Sequence, residues 1–583
     1  MRSALSFLLF ALFGGCTVAA VAAGCGDEVT STFPEDSGST VDTSPPPVPT
    51  GFTPSPDAAP TDFPAEPIID PGAPPDSAAI FAGATFATAG GPCLLEPEVG
   101  SMLPRNWLRP RFKWIAANAL AGGGTILDAG GSQDLFELRV HSDVQANDLV
   151  VYTANPSWTM PREMWNTIRT RVAGTTLTMS VRGGRLVNGK LEDAAAGSSG
   201  PLMIAPVDAP GTIVYWSTAK IGGGTGNYDP ILKGFRVGDE TVRNVLAPSQ
   251  IPNQPAGQVR CVGCHTSTPD GVYAVTTTRS VPEGDGPQAI AFGLVDGGVG
   301  TPPYLTATAR AMLQREHQSV PSFSKAHFKD GDRVVVTMFR NGENVADPFE
   351  MIWTDLEAIS NAKGTGWDVF TRTGDPRRAA APNVSNDGTR IVYVSTDTTN
   401  TAGNIVISGQ LFTVPWTDRK GGAATELAGA NVAGSRQFYP SFSPDDTMIA
   451  FDRAPQTTKS SSSDPDAELY VIPSGGGTAT RLAANDPPQC SGAKSPGVYN
   501  AWPKWSPDVG TDASGKKYYF LVFSSARNYG DIRFGARLYV TPIVVDGANV
   551  TTYAALYLWN QPENEDNHSP AWDTLKIPEE IVK

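Results

Sequence analysis

Histidine is scarce in this chain, five among 583 residues, so no Ser-His-Asp arrangement can be read along it. Cysteine numbers six, and two of these, Cys16 and Cys25, fall in an apolar leader. No second Cys-x-x-Cys pair is therefore left to close a four-cysteine zinc site. Charged residues make up 18% with net charge −15 and no basic run, which excludes nucleic acid and anionic lipid as partners, since both need positive patches. Beyond the leader no stretch reaches the ~18 apolar residues of a membrane span. Nor does any glycine-rich phosphate loop lie between a strand and a helix pattern. What the chain does have is 60 Gly and 50 Pro at 40% hydrophobic residues, a turn-rich composition that points to an all-β fold. Its length implies roughly two to four domains.

Residues 1–25 read as an export signal: Met1-Arg2, an apolar run from Ala4 to Gly24, then Ala22-Ala23-Gly24-Cys25. Small residues directly before Cys25 resemble the bacterial lipobox, in which that cysteine is lipidated; Cys16 is a weaker second position. An ordinary signal or an uncleaved anchor is the alternative. Residues 26–77 are Pro, Ser, Thr, Asp and Gly with hardly an aromatic, a disordered tether that would hold a folded body off a membrane. The expected location is the periplasm, the outer membrane or the cell surface of a bacterium, with membrane contact through the lipid anchor only.

Residues 78–210 carry short alternating strands, Arg111-Phe112-Lys113-Trp114, Leu135 to Val140, Leu149 to Thr153 and Thr176 to Arg182, separated by Gly, Asn, Asp and Pro. This suggests an antiparallel β-sandwich of fibronectin or immunoglobulin type. Pro161 near a first turn opens one short helix at Met160 to Trp165. Trp107, Trp114, Trp158 and Trp165 are expected in its core.

Arg260-Cys261-Val262-Gly263-Cys264-His265 contains Cys-x-x-Cys-His, the attachment signature of c-type haem: the two thiols bond the vinyl groups and the adjacent imidazole binds the iron. A structural disulfide between Cys261 and Cys264 is the competing reading. Cys93 and Cys490 are the remaining pair and could form a disulfide in an oxidising compartment, though nothing in the sequence fixes their distance. Ser461-Ser462-Ser463-Asp464-Pro465-Asp466 offers oxygens to Ca²⁺ but lacks the spacing and glycine of a calcium loop, so a solvated hairpin is the better reading.

From residue 211 to 583 one segment recurs: Cys264-His265-Thr266-Ser267-Thr268-Pro269-Asp270-Gly271, Val320-Pro321-Ser322-Phe323-Ser324, Ala381-Pro382-Asn383-Val384-Ser385-Asn386-Asp387-Gly388, Tyr439-Pro440-Ser441-Phe442-Ser443-Pro444-Asp445, Trp502-Pro503-Lys504-Trp505-Ser506-Pro507-Asp508 and Ser569-Pro570-Ala571-Trp572-Asp573. The copies lie about 56 to 67 residues apart, the length of a four-stranded propeller blade. The Pro-x-Phe-Ser-Pro-Asp-Gly pattern resembles the TolB-type six-bladed β-propeller, and that resemblance covers roughly residues 211 to 575. It implies a fold and no role in a Tol system. Two departures stand out: the preceding domain is unlike that family's own, and Ser324 to Gly331 carries an insertion in the turn.

Gly211 to Ser217, Ile231 to Val237 and Val242 to Leu246 read as second, third and fourth strands without a first, while Pro570 to Asp573 reads as a first strand with nothing after it. The C-terminal segment is expected to complete the first blade and close the ring. That closure puts His568 beside His265, which sits in the proline slot, and makes His568 the first candidate for a distal haem ligand. His317 is the second, with Met312 behind it. His327 belongs to a turn facing the other way and His141 to the other domain. Three functions follow: a lipid-anchored monohaem c-type cytochrome that transfers electrons to a redox partner the sequence does not name; a binding propeller for a ligand or envelope protein; or, with an open sixth iron position, a haem peroxidase or gas sensor.

Overall fold

The computed structural model describes residues 62–116, 133–220, 228–251, 258–280, 289–294, 300–315, 320–340, 349–357, 366–397, 408–457, 461, 464–527, 535–563 and 565–577. Cys25 and His317 lie outside the described residues, as do the leader and most of the expected tether.

The chain is all-β. Its N-terminal part has two sheets. One holds six strands in the order Ile68–Ile69, Leu149–Thr153, Leu135–His141, Thr176–Val187, Lys190–Ile204, Ser101–Leu103. The other holds Cys93–Glu96, Arg111–Ile115 and Ser157–Thr159. Period-two alternation decides the faces: Leu177, Met179 and Val181 are buried while Thr176 and Thr178 are exposed. Phe112, Trp114 and Trp158 of the small sheet meet Leu138, Val140, Val151 and Met179 of the large one in a single core. Trp107, Trp114, Trp158 and Trp165 are all buried. The helix after Pro161 runs Arg162–Ile168.

Two features differ from the sequence expectation. The large sheet is mixed, because both its edge strands, Ile68–Ile69 and Ser101–Leu103, pair in parallel. Ordered structure also begins before residue 78: Phe63 is buried, and the Asp70 carboxylate accepts a hydrogen bond of 2.9 Å from the Thr153 hydroxyl. A few apolar anchors suffice to dock this stretch, because the sheet edge offers it backbone partners.

After Thr212, six antiparallel sheets succeed one another among the described residues. We label their first strands in chain order: β1 (Val259–Ser267), β2 (Ser322–Lys329), β3 (Arg378–Val384), β4 (Ser435–Phe442), β5 (Asn500–Trp505) and β6 (Asp566–Asp573). β1 to β5 each lead the sheet formed by the strands that follow them. β6 instead joins the sheet at the start of the series, pairing antiparallel with Thr212–Lys220 so that its order is Arg243–Leu246, Tyr228–Arg236, Thr212–Lys220, β6. The last strand of the chain thus covers the edge of the earliest sheet.

The N-terminal sheets are docked on this body. Their core continues into Ile213, Tyr215, Phe520, Val540 and Trp572. Buried Arg527 pairs with Glu98 at 3.3 Å. A disulfide joins Cys93 to Cys490 across 397 residues.

Candidate functional site

Four of the first strands, β3 to β6, break their ladder across the proline slot and the residue before it; β1 breaks just before its slot, where His265 stays paired with Thr276, and β2 breaks after its slot. The register shifts across Gly263-Cys264, Ala381-Pro382, Tyr439-Pro440, Trp502-Pro503 and Ser569-Pro570, with a longer shift between Phe323 and Phe328. Proline has no N–H to give the ladder, so a bulge is the local answer. The residue before proline takes a left-handed backbone at Ala381 (φ 44°), Tyr439 (φ 51°), Trp502 (φ 64°) and Ser569 (φ 48°). Such conformations cost energy in L-residues and persist only where packing enforces them. Tyr439 and Trp502 supply that packing, with rings stacked at 3.8 Å and 16°. Val320, Ala381, Tyr439 and Trp502 line one small common cavity.

In β1 the proline slot is filled by His265 and the preceding bulge position by Cys264. Cys261, Cys264 and His265 are all buried, at 6%, 8% and 4% exposure. Cys264 is a thiol and not a disulfide partner of Cys261. The His265 Nδ1 lies 3.1 Å from the Gly263 carbonyl, which fixes the tautomer with Nδ1–H as donor. Its buried Nε2 makes no hydrogen bond of good geometry. Burial pushes the imidazole down to about 4, against the Val214 and Gly263 carbonyls that favour the cation, so the ring is neutral near pH 7. His568 is close enough to add to that depression. It pairs in register with Trp216, meets that indole edge-on at 4.4 Å, and places Nδ1 3.1 Å from the Ser569 hydroxyl.

Cys261 is itself disulfide-bonded, though not to Cys264, so the groups that fit a haem c iron as they stand are the Cys264 thiol and a neutral imidazole whose Nδ1 is held by a backbone carbonyl; Cys261 would join them once its disulfide is reduced. Other candidates go elsewhere. Met312 is buried on the helix Ala307–Leu313 against Ile352, in a cluster with Trp367 and Val369 on third and fourth strands, away from β1. His327 is held by Asp332 at 2.9 Å and the Gly388 carbonyl at 3.1 Å, and stacks on Trp416. His141 is exposed between Asp143 and Asp148. Asp464, expected in a solvated hairpin, is instead fully buried and paired with Arg436, because that pairing takes up its charge. No group of three or more His, Cys, Asp or Glu among the described residues could hold a metal ion.

A second feature was not anticipated. The residue after each proline slot, Thr266, Ser322, Asn383, Ser441, Lys504 and Ala571, faces one cavity of about 160 Å³ at the centre of the six first strands. Asp573, Trp505 and Trp572 share its wall. The Asp573 Oδ2 accepts the Ser267 backbone N–H at 2.7 Å, and burial raises its carboxyl to about 6. Burial likewise lowers the Lys504 ammonium below its usual range. At the rim Lys325 reaches from β2 to the Pro507 carbonyl at 2.8 Å, on the sheet that follows β5.

Six sheets whose first strands line one axial cavity decide the architecture. The chain is a β-propeller. No family model matches it, and neither does any curated protein. Solved structures similar to this propeller include a TolB from Agrobacterium tumefaciens, at 13% identity over 62% of this chain and 98% of that one, with a TM-score of 0.27. Hydrazine synthase of Kuenenia stuttgartiensis is 11% identical over 56% and 89%, with a TM-score of 0.28. An oligogalacturonate lyase in complex with manganese is 13% identical over 60% and 75%, also at 0.28. Scores this low carry no argument, and the propeller rests on its own strand order.

Proposed function

We propose that the protein is a monohaem c-type cytochrome of the bacterial envelope, a six-bladed propeller with an N-terminal β-sandwich of residues 78–210, lipid-anchored through Cys25 and transferring electrons. One observation carries the reading: the only histidine in a proline slot is neutral, held at Nδ1 by Gly263, and has Nε2 to spare. Cys264, and Cys261 once its disulfide is reduced, would hold haem c covalently and His265 would bind its iron. The group supplies one-electron redox chemistry when bound.

The chain's own part is orientation and exclusion of water. The Gly263 carbonyl, by accepting the hydrogen bond from Nδ1–H, leaves Nε2 as the unprotonated nitrogen and raises its basicity. Burial keeps the imidazole unprotonated, hence a ligand, well below neutral pH. Trp216 fixes the His568 ring beside this site, which favours His568 over His317 for the distal position. An electron carrier needs that sixth position filled; a peroxidase or gas sensor needs it open.

The test is haem staining on a denaturing gel, with spectra of both redox states, after export in a host that matures c-type cytochromes. The expected result is a stained band and a low-spin spectrum that turns high-spin in His568→Ala. The Cys261→Ser/Cys264→Ser variant should lose the stain while keeping the β circular-dichroism signal. An unstained wild-type band sinks the proposal and leaves a binding propeller, which the axial cavity favours.

A further inference from the structure

The axial cavity has a charge pattern that neither the fold nor a haem explains. Its ring of residues after the proline slots is hydroxyl, amide or methyl in five sheets and an ammonium in one, Lys504. Three positions beyond the slot the other copies read Thr268, Ser324, Ser385, Ser443 and Ser506, and the sixth reads Asp573. Both exceptions face the same space. Among the described residues the Lys504 ammonium makes no hydrogen bond or ion pair, although Asp573 is near enough to favour its charge. The Ser267 N–H and the Thr266 hydroxyl both act on the Oδ2 of Asp573, with the Ser267 hydroxyl also near, and the carboxylate lines the cavity wall.

Two partly buried opposite charges that face one another without pairing are costly unless something lies between them. Asp452, the other acid near Lys504, sits in the wall below: burial holds its carboxyl well above the usual range, and it accepts the Trp502 N–H at 3.1 Å. It is held by that wall contact and does not line the cavity. A simple anion would satisfy Lys504 and be repelled by Asp573. A simple amine would do the reverse. At about 160 Å³ the cavity is smaller than a drug-sized ligand site, so the occupant is small.

We infer that the axial cavity binds a small zwitterion of the α-amino-acid class, its carboxylate on Lys504 and its ammonium on Asp573. The hydroxyl and amide groups of Thr266, Ser322, Asn383 and Ser441 complete its hydrogen bonds. Lys325, bonded to the Pro507 carbonyl, forms part of the cavity rim. His265 shares the wall of this cavity, but the two charges belong to β5 and β6, and the inference stands without haem at His265.

The experiment is ligand-observed NMR on the purified full chain with three probes of one size: alanine, propionate (carboxylate only) and ethylamine (amine only). Alanine is expected to bind, and each one-charge analogue to bind about tenfold more weakly or worse, the loss of one charge-assisted contact. Lys504→Met should abolish alanine binding. Asp573→Asn should remove the preference for alanine over propionate. Propionate binding as tightly as alanine in the wild type would overturn the inference in favour of a plain anion site. No binding of alanine would overturn it outright. The comparison of probes needs no variant, so a misfolded substitution cannot hide either outcome.

Discussion

Asp573 shows how one side chain couples the cavity to the stability of the ring. Its carboxyl is raised by burial to about 6, above the ~3.9 of an unfolded chain. The folded state therefore holds this proton more tightly than the unfolded one. The stabilisation is complete below about pH 4, declines as pH rises, and is gone above about pH 6. Lys504, facing it, limits the loss by favouring the carboxylate. Urea unfolding between pH 4 and 7 should show Asp573→Asn gaining on the wild type across that window. The expected gain is on the order of 2 kcal/mol, after allowing for partial exposure. Parallel curves for the two proteins would mean that Asp573 titrates normally.

At the scale of the element, β6 carries the most weight for its length. It is the inner strand of the sheet that begins at Thr212, and its Trp572 donates Nε1–H to the Pro210 carbonyl at 2.8 Å while packing near Trp107 and Phe520. Without β6 the Thr212–Lys220 strand becomes an open edge and the cavity loses a wall. Truncation before Asp566 should therefore lower the melting point of the whole propeller in a single transition, or leave it insoluble. A protein that loses only local hydrogen-exchange protection near Thr212 would contradict this. Gly271 shows the same closure from the other side: at φ +71° a Cβ there would lie 2.2 Å from the Thr574 carbonyl. Only glycine lets that turn approach the C-terminal strand.

For the whole molecule, the question is what couples the N-terminal sheets to the propeller. The Cys93–Cys490 disulfide, the buried Arg527–Glu98 pair and the shared core around Trp572 all cross between them. A bond closing so long a loop restricts the unfolded chain strongly, and its loss costs roughly 2–5 kcal/mol. The Cys93→Ser/Cys490→Ser variant should melt several degrees lower, and reductant should lower the wild type but not the variant. Equal melting points for both proteins would show that the apolar interface alone suffices.

The sequence by itself determined whatever depends on local pattern. Period-two alternation with Gly, Asn and Pro between runs specifies strands and their buried faces, which is why the four tryptophans could be placed in a core. The recurring proline slot specifies successive sheets, and a missing first strand at Thr212 with a surplus one at Asp566 implies ring closure. His265 was legible as the exception in that slot. Lys504 and Asp573 were legible in the same sense, as charges where the other copies carry small polar residues, but a departure in one copy says nothing about which other copy it faces. Only the tertiary structure could decide that, because ring geometry brings together residues tens to hundreds of positions apart. The same holds for the parallel pairing of Ile68–Ile69, for Met312 on the outer side of its sheet, and for Asp464, whose charge is taken up by Arg436. Sequence fixes which way a side chain points from its strand. What stands opposite it is set by long-range closure, whose cost grows only slowly with chain length and leaves no local mark.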